Sequence, residues 1–278
     1  MKKTEELNDK ILENMCQNTY TDDISQKKAE GFYYYDTYEK PKTGFYADIY
    51  ISNNNKDKVV IAFKGSNDIK DLLQDLKMWK FEKMPEQFRD ARKLYDSLVS
   101  LSDLEDAEFI FTGHSLGRSV AAYLGCRTGC RTVTFNPFGI GKMVSNPQNT
   151  TNVTNYGNPK DRIFMEEINN QVGKVKYVFN LDNFKSEKLP AIKKYHQLES
   201  MGNIDFATED ISGQQFVQKI YNYVQNNKNK MTFDEILNNL PYLEGSNSNS
   251  CPGYVTVDEY QRNGHKVSGY VRSCPYHN

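Results

Sequence analysis

The chain has 278 residues, with 35 lysines and arginines against 36 aspartates and glutamates, a formal net charge of −1. Charge balanced in this way excludes a general, bulk-electrostatic affinity for nucleic acid or for anionic membrane surfaces. The length suffices for one large α/β domain with additions or for two small ones.

The N-terminus, Met1 to Lys10, is charged and lacks the apolar core of a signal peptide. No apolar run reaches the length of a membrane span. The expected location is therefore cytoplasmic, or wherever a non-Sec system delivers the chain, with only peripheral contact with lipid. Five cysteines, Cys16, Cys126, Cys130, Cys251 and Cys274, are an odd number with no zinc spacing to histidine, and they read as free thiols. Cys126 and Cys130, one helical turn apart, read as packing residues, while Cys251 and Cys274 bracket the tail and are open to pairing in an oxidising space.

Taken in chain order, residues 1 to about 30 predict one or two helices, with Leu7, Ile11, Leu12 and Met15 spaced for one face. Strand signals follow at Tyr33–Tyr35 and at Gly44–Ser52, rich in aromatic and β-branched residues. The turn cluster Asn53–Asp57 leads into Lys58–Lys64, apolar at successive positions as a strand buried on both faces requires. Asp68–Leu76 and Glu86–Leu101 predict helices, the second carrying Phe88, Ala91, Leu94, Tyr95 and Leu98 on one side. Between them Met78, Trp79, Phe81 and Met84 stand among lysines, as core cover or as a lid.

Glu108–Thr112 predicts a strand and Ser119–Leu124 a helix, and between them lies Gly113-His114-Ser115-Leu116-Gly117. A G-x-S-x-G sequence in that context predicts a nucleophile elbow: the serine sits on a strained strand-to-helix turn, and a side chain at either glycine would strike neighbouring backbone. The helix that follows points its first amides at the place where an oxyanion forms.

Arg131–Phe135, Asn152–Tyr156 and Lys174–Leu181 predict further strands, and strands alternating with helices predict a mostly parallel sheet covered on both faces. Ligands then bind at the edge formed by the carboxyl ends of the strands. Helices are predicted over 209–226 and 231–243. Gly245–Ser250 reads as a linker, and Asn263-Gly264 between two strand-like runs predicts a β-hairpin. Two strands alone are marginal in water, so this tail is expected to dock on the main domain or on a partner. The expected division is 1–244, a linker over 245–252, and the tail over 253–278.

A serine hydroxyl is a weak nucleophile at neutral pH and needs a base, which in turn needs an orienting carboxylate. Of the four histidines, His114 lies inside the elbow, and His265 and His277 fall in the tail. The order Ser, then Asp or Glu, then His leaves His196. Asp161 and Asp182 both follow strand-like runs and both stay open as the carboxylate, with Glu166, Glu167 and Glu187 as outsiders. The turn Tyr156–Lys160 ahead of Asp161 favours that residue. Two amides are needed for an oxyanion hole: that of Leu116, and one from the turn after an earlier strand, where Phe63-Lys64-Gly65-Ser66 places Ser66.

Val60–Ser66, Asp71–Leu76, Gly113–Gly117, Thr134–Pro137, Asn158–Ile163 and Tyr195–Leu198, in that order, resemble the class 3 lipase family of α/β-hydrolases, from about Gly44 to Met201. The resemblance implies an α/β fold, an α/β-hydrolase-like mostly parallel sheet flanked by helices, here with a small C-terminal β-hairpin tail. It implies Ser115, Asp161 and His196 as a triad and sets Asp161 above Asp182. It implies the amides of Ser66 and Leu116 as the oxyanion hole and no metal or organic cofactor.

The chain departs from the family at Lys64 and Ser66, where arginine and threonine are usual. It departs again at Arg118, where a small residue is usual and where tight packing of helix on strand comes into question. The implied activity is hydrolysis of lipid or phospholipid acyl esters. Alternatives are a carboxylesterase or thioesterase on soluble esters, and a non-catalytic, hydrolase-like binding module. The missing signal peptide, the phospholipase-like core and the added tail also suit a toxin-like effector.

Overall fold

The computed structural model describes residues 7–65, 86–137, 139–141, 144, 150–159, 161, 164–165, 168–178, 198, 201, 204–209 and 211, together with the strand backbone of 254–257, 260–262, 265–267 and 270–273. The Asn8 side chain opens the first helix by accepting from the Ile11 amide at 3.0 Å, satisfying one of the amides that a helix start leaves bare. This helix, α1 (Asp9–Asn18), buries Ile11, Leu12, Met15 and Cys16, the face that the spacing predicts. Asp9 in its first turn meets Arg131 at 2.6 Å and accepts from the Tyr156 hydroxyl at 2.6 Å, and Arg131 also donates to the Leu7 carbonyl at 3.0 Å. An anion at the N-terminus is favoured by the helix dipole, and here it also ties the helix to distant strands.

Strands β1 (Phe32–Lys40), β2 (Phe45–Ser52) and β3 (Lys58–Phe63) form an antiparallel meander. The connections over 41–44 and 53–57 are far too short for a parallel crossover, which takes a dozen residues or more. Asn55 and Lys56 carry the second turn with φ of 51° and 57°. From β3 onward the pairing is parallel: β3 with β4 (Glu108–His114), β4 with β5 (Arg131–Phe135), and β5 with β6 (Val153–Gly157). With β7 (Lys174–Tyr177) the seven strands lie in sequential order across one sheet. The α/β alternation read from the sequence therefore starts only at β3.

Helix α2 (Glu86–Val99) crosses from β3 towards β4, and α3 (Leu116–Thr128) links β4 to β5. Phe88, Ala91, Leu94 and Leu98 of α2 and Val120, Ala121 and Leu124 of α3 form one core with Ile49, Ile61, Phe63 and Phe111 of the sheet. Residues of opposite pleat, Val60, Ala62 and Ile110, are equally buried. On that side α1 packs against β4, where the Cys16 thiol lies 3.1 Å from the Thr112 hydroxyl. The central strands are thus covered on both faces, each large apolar side chain contributing about 1.5–3 kcal/mol.

Among the described residues one ion pair is buried outright. Lys27 donates to both Asp48 oxygens at 2.7 and 2.8 Å and to the Tyr46 hydroxyl at 2.8 Å, with the two side chains 2% and 0% exposed. Cys126 is buried among Ala122, Val153 and Val172, and Cys16, Cys126 and Cys130 are all free thiols.

The chain falls into two compact units, 1–157 with 161–175, and 158–160 with 176–278. In the second, Tyr177 and Thr208 exchange backbone hydrogen bonds at 2.7 and 3.0 Å beside a short helical turn, Ile204–Phe206. Strands β8 (Tyr254–Val257), β9 (Tyr260–Arg262), β10 (His265–Val267) and β11 (Tyr270–Ser273) pair antiparallel, β9 with β10 and β8 with β11. Arg262 stands opposite His265, so β9 and β10 are the antiparallel pair that the sequence predicts. The predicted helices over 68–76 and 231–243, nearly all of that over 209–226, the linker, Cys251 and Cys274 lie outside the described residues.

Candidate active site

Strands β3 to β6 run the same way, so their carboxyl ends share one edge of the sheet. Three short segments leave that edge within the first unit, Lys64-Gly65 after β3, Ser115 after β4 and Asn136 after β5, and Asp161, beyond β6, belongs to the same unit. Ligand sites of parallel sheets form at such edges.

Ser115 holds φ 56° and ψ −124°, a conformation that L residues rarely adopt and that costs about 1–3 kcal/mol. It is 1% exposed. What over-determines the turn is backbone proximity at two glycines. A Cβ on Gly113 would lie 2.7 Å from the Arg118 nitrogen and 2.7 Å from the Gly117 carbonyl carbon. A Cβ on Gly117 would collide with the Phe63 carbonyl oxygen and come within 2.6 Å of that of Lys64. The elbow is thereby wedged between the first turn of α3 and the end of β3. Leu116 is the first residue of α3, so its amide belongs to the positive end of a helix, and the Ser115 side chain does not cap that helix.

Asp161 is fully buried, four residues beyond the end of β6, and its carbonyl accepts from the Met165 amide at 3.0 Å. A carboxylate is not left dry without compensation. Arg118, in the first turn of α3, is fully buried as well and donates to the Phe135 carbonyl at 2.9 Å. Burial drives its guanidinium well below the ordinary arginine pKa, and the Asp161 carboxylate and the Tyr20 ring oxygen act against that drop. The doubt that Arg118 raised about helix-to-strand packing is answered here: the contact is made by Gly113 and Gly117, while the long side chain turns to the end of β5.

Tyr20, just beyond α1, reaches the same edge. Its hydroxyl lies 2.8 Å from His114 Nδ1 and accepts from the Gly65 amide at 3.2 Å, with the Tyr20 and His114 rings edge to face at 5.8 Å. Nothing in the sequence around Tyr20 signals this, since its partners lie 94 and 45 residues away. In the sequence Arg118 stands out only as a departure from the class 3 lipase pattern.

Of the residues singled out from the sequence, Ser115, Leu116 and Asp161 come to one sheet edge. Ser66, His196, Asp182, Glu166, Glu167, Glu187 and the run from Met78 to Met84 lie outside the described residues. Among the described residues no three or more His, Cys, Asp or Glu side chains are grouped to hold a metal ion, and no helix is long and apolar enough to cross a membrane.

A mixed, mostly parallel sheet with a serine on a strained strand-to-helix turn at its carboxyl edge defines an α/β-hydrolase-like fold. The chain belongs to the Tle-like phospholipase domain family, a phospholipase-like family that matches residues 17–168. It is 32% identical over 108 residues to an extracellular phospholipase A1 of Serratia liquefaciens, a match covering 37% of this chain and 30% of that protein. Among solved structures it is similar to the Rhizomucor miehei triacylglyceride lipase, at 14% identity and a TM-score of 0.43, over 62% of this chain and 80% of the lipase. It is also similar to a triacylglycerol lipase from Penicillium expansum, at 13% identity and a TM-score of 0.43, over 61% and 77%.

Proposed function

We propose that this chain hydrolyses the acyl esters of phospholipids or related lipids through Ser115, His196 and Asp161. The observation that carries the reading is the backbone of Ser115, held at positive φ at the start of a helix in a chain of a phospholipase-like family. Ser115 Oγ attacks the ester carbonyl as His196 takes its proton, and the amides of Leu116 and Ser66 hold the oxyanion. The alkoxide leaves with the proton returned by His196, giving an acyl-enzyme, and water attacks that intermediate by the same route in reverse. Asp161 fixes the imidazole tautomer. The ordered resemblance to class 3 lipases supports these assignments, and the phospholipase A1 similarity supports the headgroup class.

The substrate is met by peripheral contact with lipid, and residues 253–278 dock a protein partner while residues 1–244 carry the chemistry. A chain ending at residue 244 is expected to keep its activity; loss of both fold and activity would assign the tail to the catalytic body. The principal test is fatty-acid release from phospholipid mixed micelles and hydrolysis of a short p-nitrophenyl ester by wild type and Ser115→Ala. The wild type is expected to prefer the micelles, and the variant to lose about a thousandfold or more in rate. Equal rates for the two proteins would remove Ser115 from the chemistry, and preference for the monomeric ester would favour a soluble-ester hydrolase.

A further inference from the structure

We infer that Tyr20 is a positioning residue that clamps the loop after β3 onto the nucleophile elbow, and so sets where the second oxyanion donor stands. The inference rests on the reading of Ser115 as nucleophile and of that loop as one side of the oxyanion hole.

The Gly65 amide can only donate, so the Tyr20 oxygen accepts there, and the same hydroxyl is hydrogen-bonded to His114 Nδ1. One hydroxyl thus touches both segments: the residue before Ser115, and the residue before Ser66.

The space is tight enough for the link to matter. A Cβ on Gly65 would stand 2.5 Å from the His114 carbonyl oxygen, 2.6 Å from Ser115 Cβ and 2.8 Å from the Tyr20 hydroxyl, so the loop backbone lies directly on the elbow. Lys64 adds a second hold, its ammonium 5.7 Å from the centre of the Tyr20 ring and 4.8 Å from that of Tyr46. Tyr20 itself is steadied from behind. Its amide donates to the Gln17 carbonyl at 3.1 Å, and the adjoining Thr19 is fully buried with its hydroxyl on the Cys16 carbonyl at 2.8 Å. The end of α1 therefore reports its position, through one phenol, to both sides of the reacting centre.

A packing role and a positioning role separate in kinetics. Tyr20→Phe keeps the ring and removes only the link, and His114→Phe removes the same link from its other end. For each, kcat, KM and the second-order rate of labelling by a fluorophosphonate are compared with wild type, after the melting temperature has established that the variant is folded. A shift of a donor by an ångström costs about tenfold to a hundredfold in rate. The expected result is therefore a kcat lower by about tenfold or more, KM unchanged and labelling slowed in parallel. Labelling and kcat within about twofold of wild type in either folded variant would overturn the inference and leave the function untouched, as would a fall in kcat/KM carried wholly by KM. A wild type that the fluorophosphonate does not label would instead overturn the reading of Ser115, and the inference with it.

Discussion

Ser115 holds its backbone conformation because Gly113 and Gly117 let α3 and β3 close around it, and strain of this kind is expected to trade stability for function. Ser115→Gly should raise the unfolding free energy by about 1 kcal/mol, as relief of strain exceeds the entropy that glycine adds to the unfolded chain. Urea denaturation checks this, and the variant should take no fluorophosphonate. Gly117→Ala works in the opposite direction: its methyl group meets the carbonyls of Phe63 and Lys64, and a loss of about 1–3 kcal/mol is expected. The motif itself was legible, since both glycines and the serine stand in five consecutive residues between two periodic segments. Tyr20 was not, because a tyrosine following an amphipathic helix has no local pattern that distinguishes a clamp from a cover.

At the scale of elements, the supports of the site are separable from the site. Asn8→Ala removes the cap of α1 and should cost about 1 kcal/mol, read as a lower urea midpoint. Lys27→Met leaves Asp48 charged and dry in the antiparallel part of the sheet, at a cost of about 3–5 kcal/mol, and adding Asp48→Leu should restore most of it. No recovery in the double variant would mean that Tyr46 and Thr37 need the pair for their own placement. Burial raises the pKa of the Cys16 and Cys126 thiols, so among the three described cysteines Ellman's reagent should reach half-buried Cys130 first in the native state. Strand β3 was legible as buried on both faces from its unbroken apolar run. The meander ahead of it is marked in the sequence only by its short turns, the five-residue cluster Asn53–Asp57 being too short for anything but an antiparallel return.

From β1 to β7 sequence order becomes spatial order in one sheet, and the strands from β3 to β6 run parallel, which is why Gly65, Ser115 and Asp161 share a single edge. That convergence follows from parallel crossovers and could be anticipated from alternation alone. The pairing of a buried Arg118 with the neighbourhood of a buried Asp161 could not, because it depends on which way one long side chain turns. The central claim is that Ser115 is an activated nucleophile. Its most direct measurement is mass spectrometry of the folded protein after treatment with a fluorophosphonate, with peptide mapping of the adduct. One adduct on Ser115, absent from Ser115→Ala and from heat-unfolded protein, is the predicted result; an unmodified folded protein, or an adduct on another residue, would contradict it.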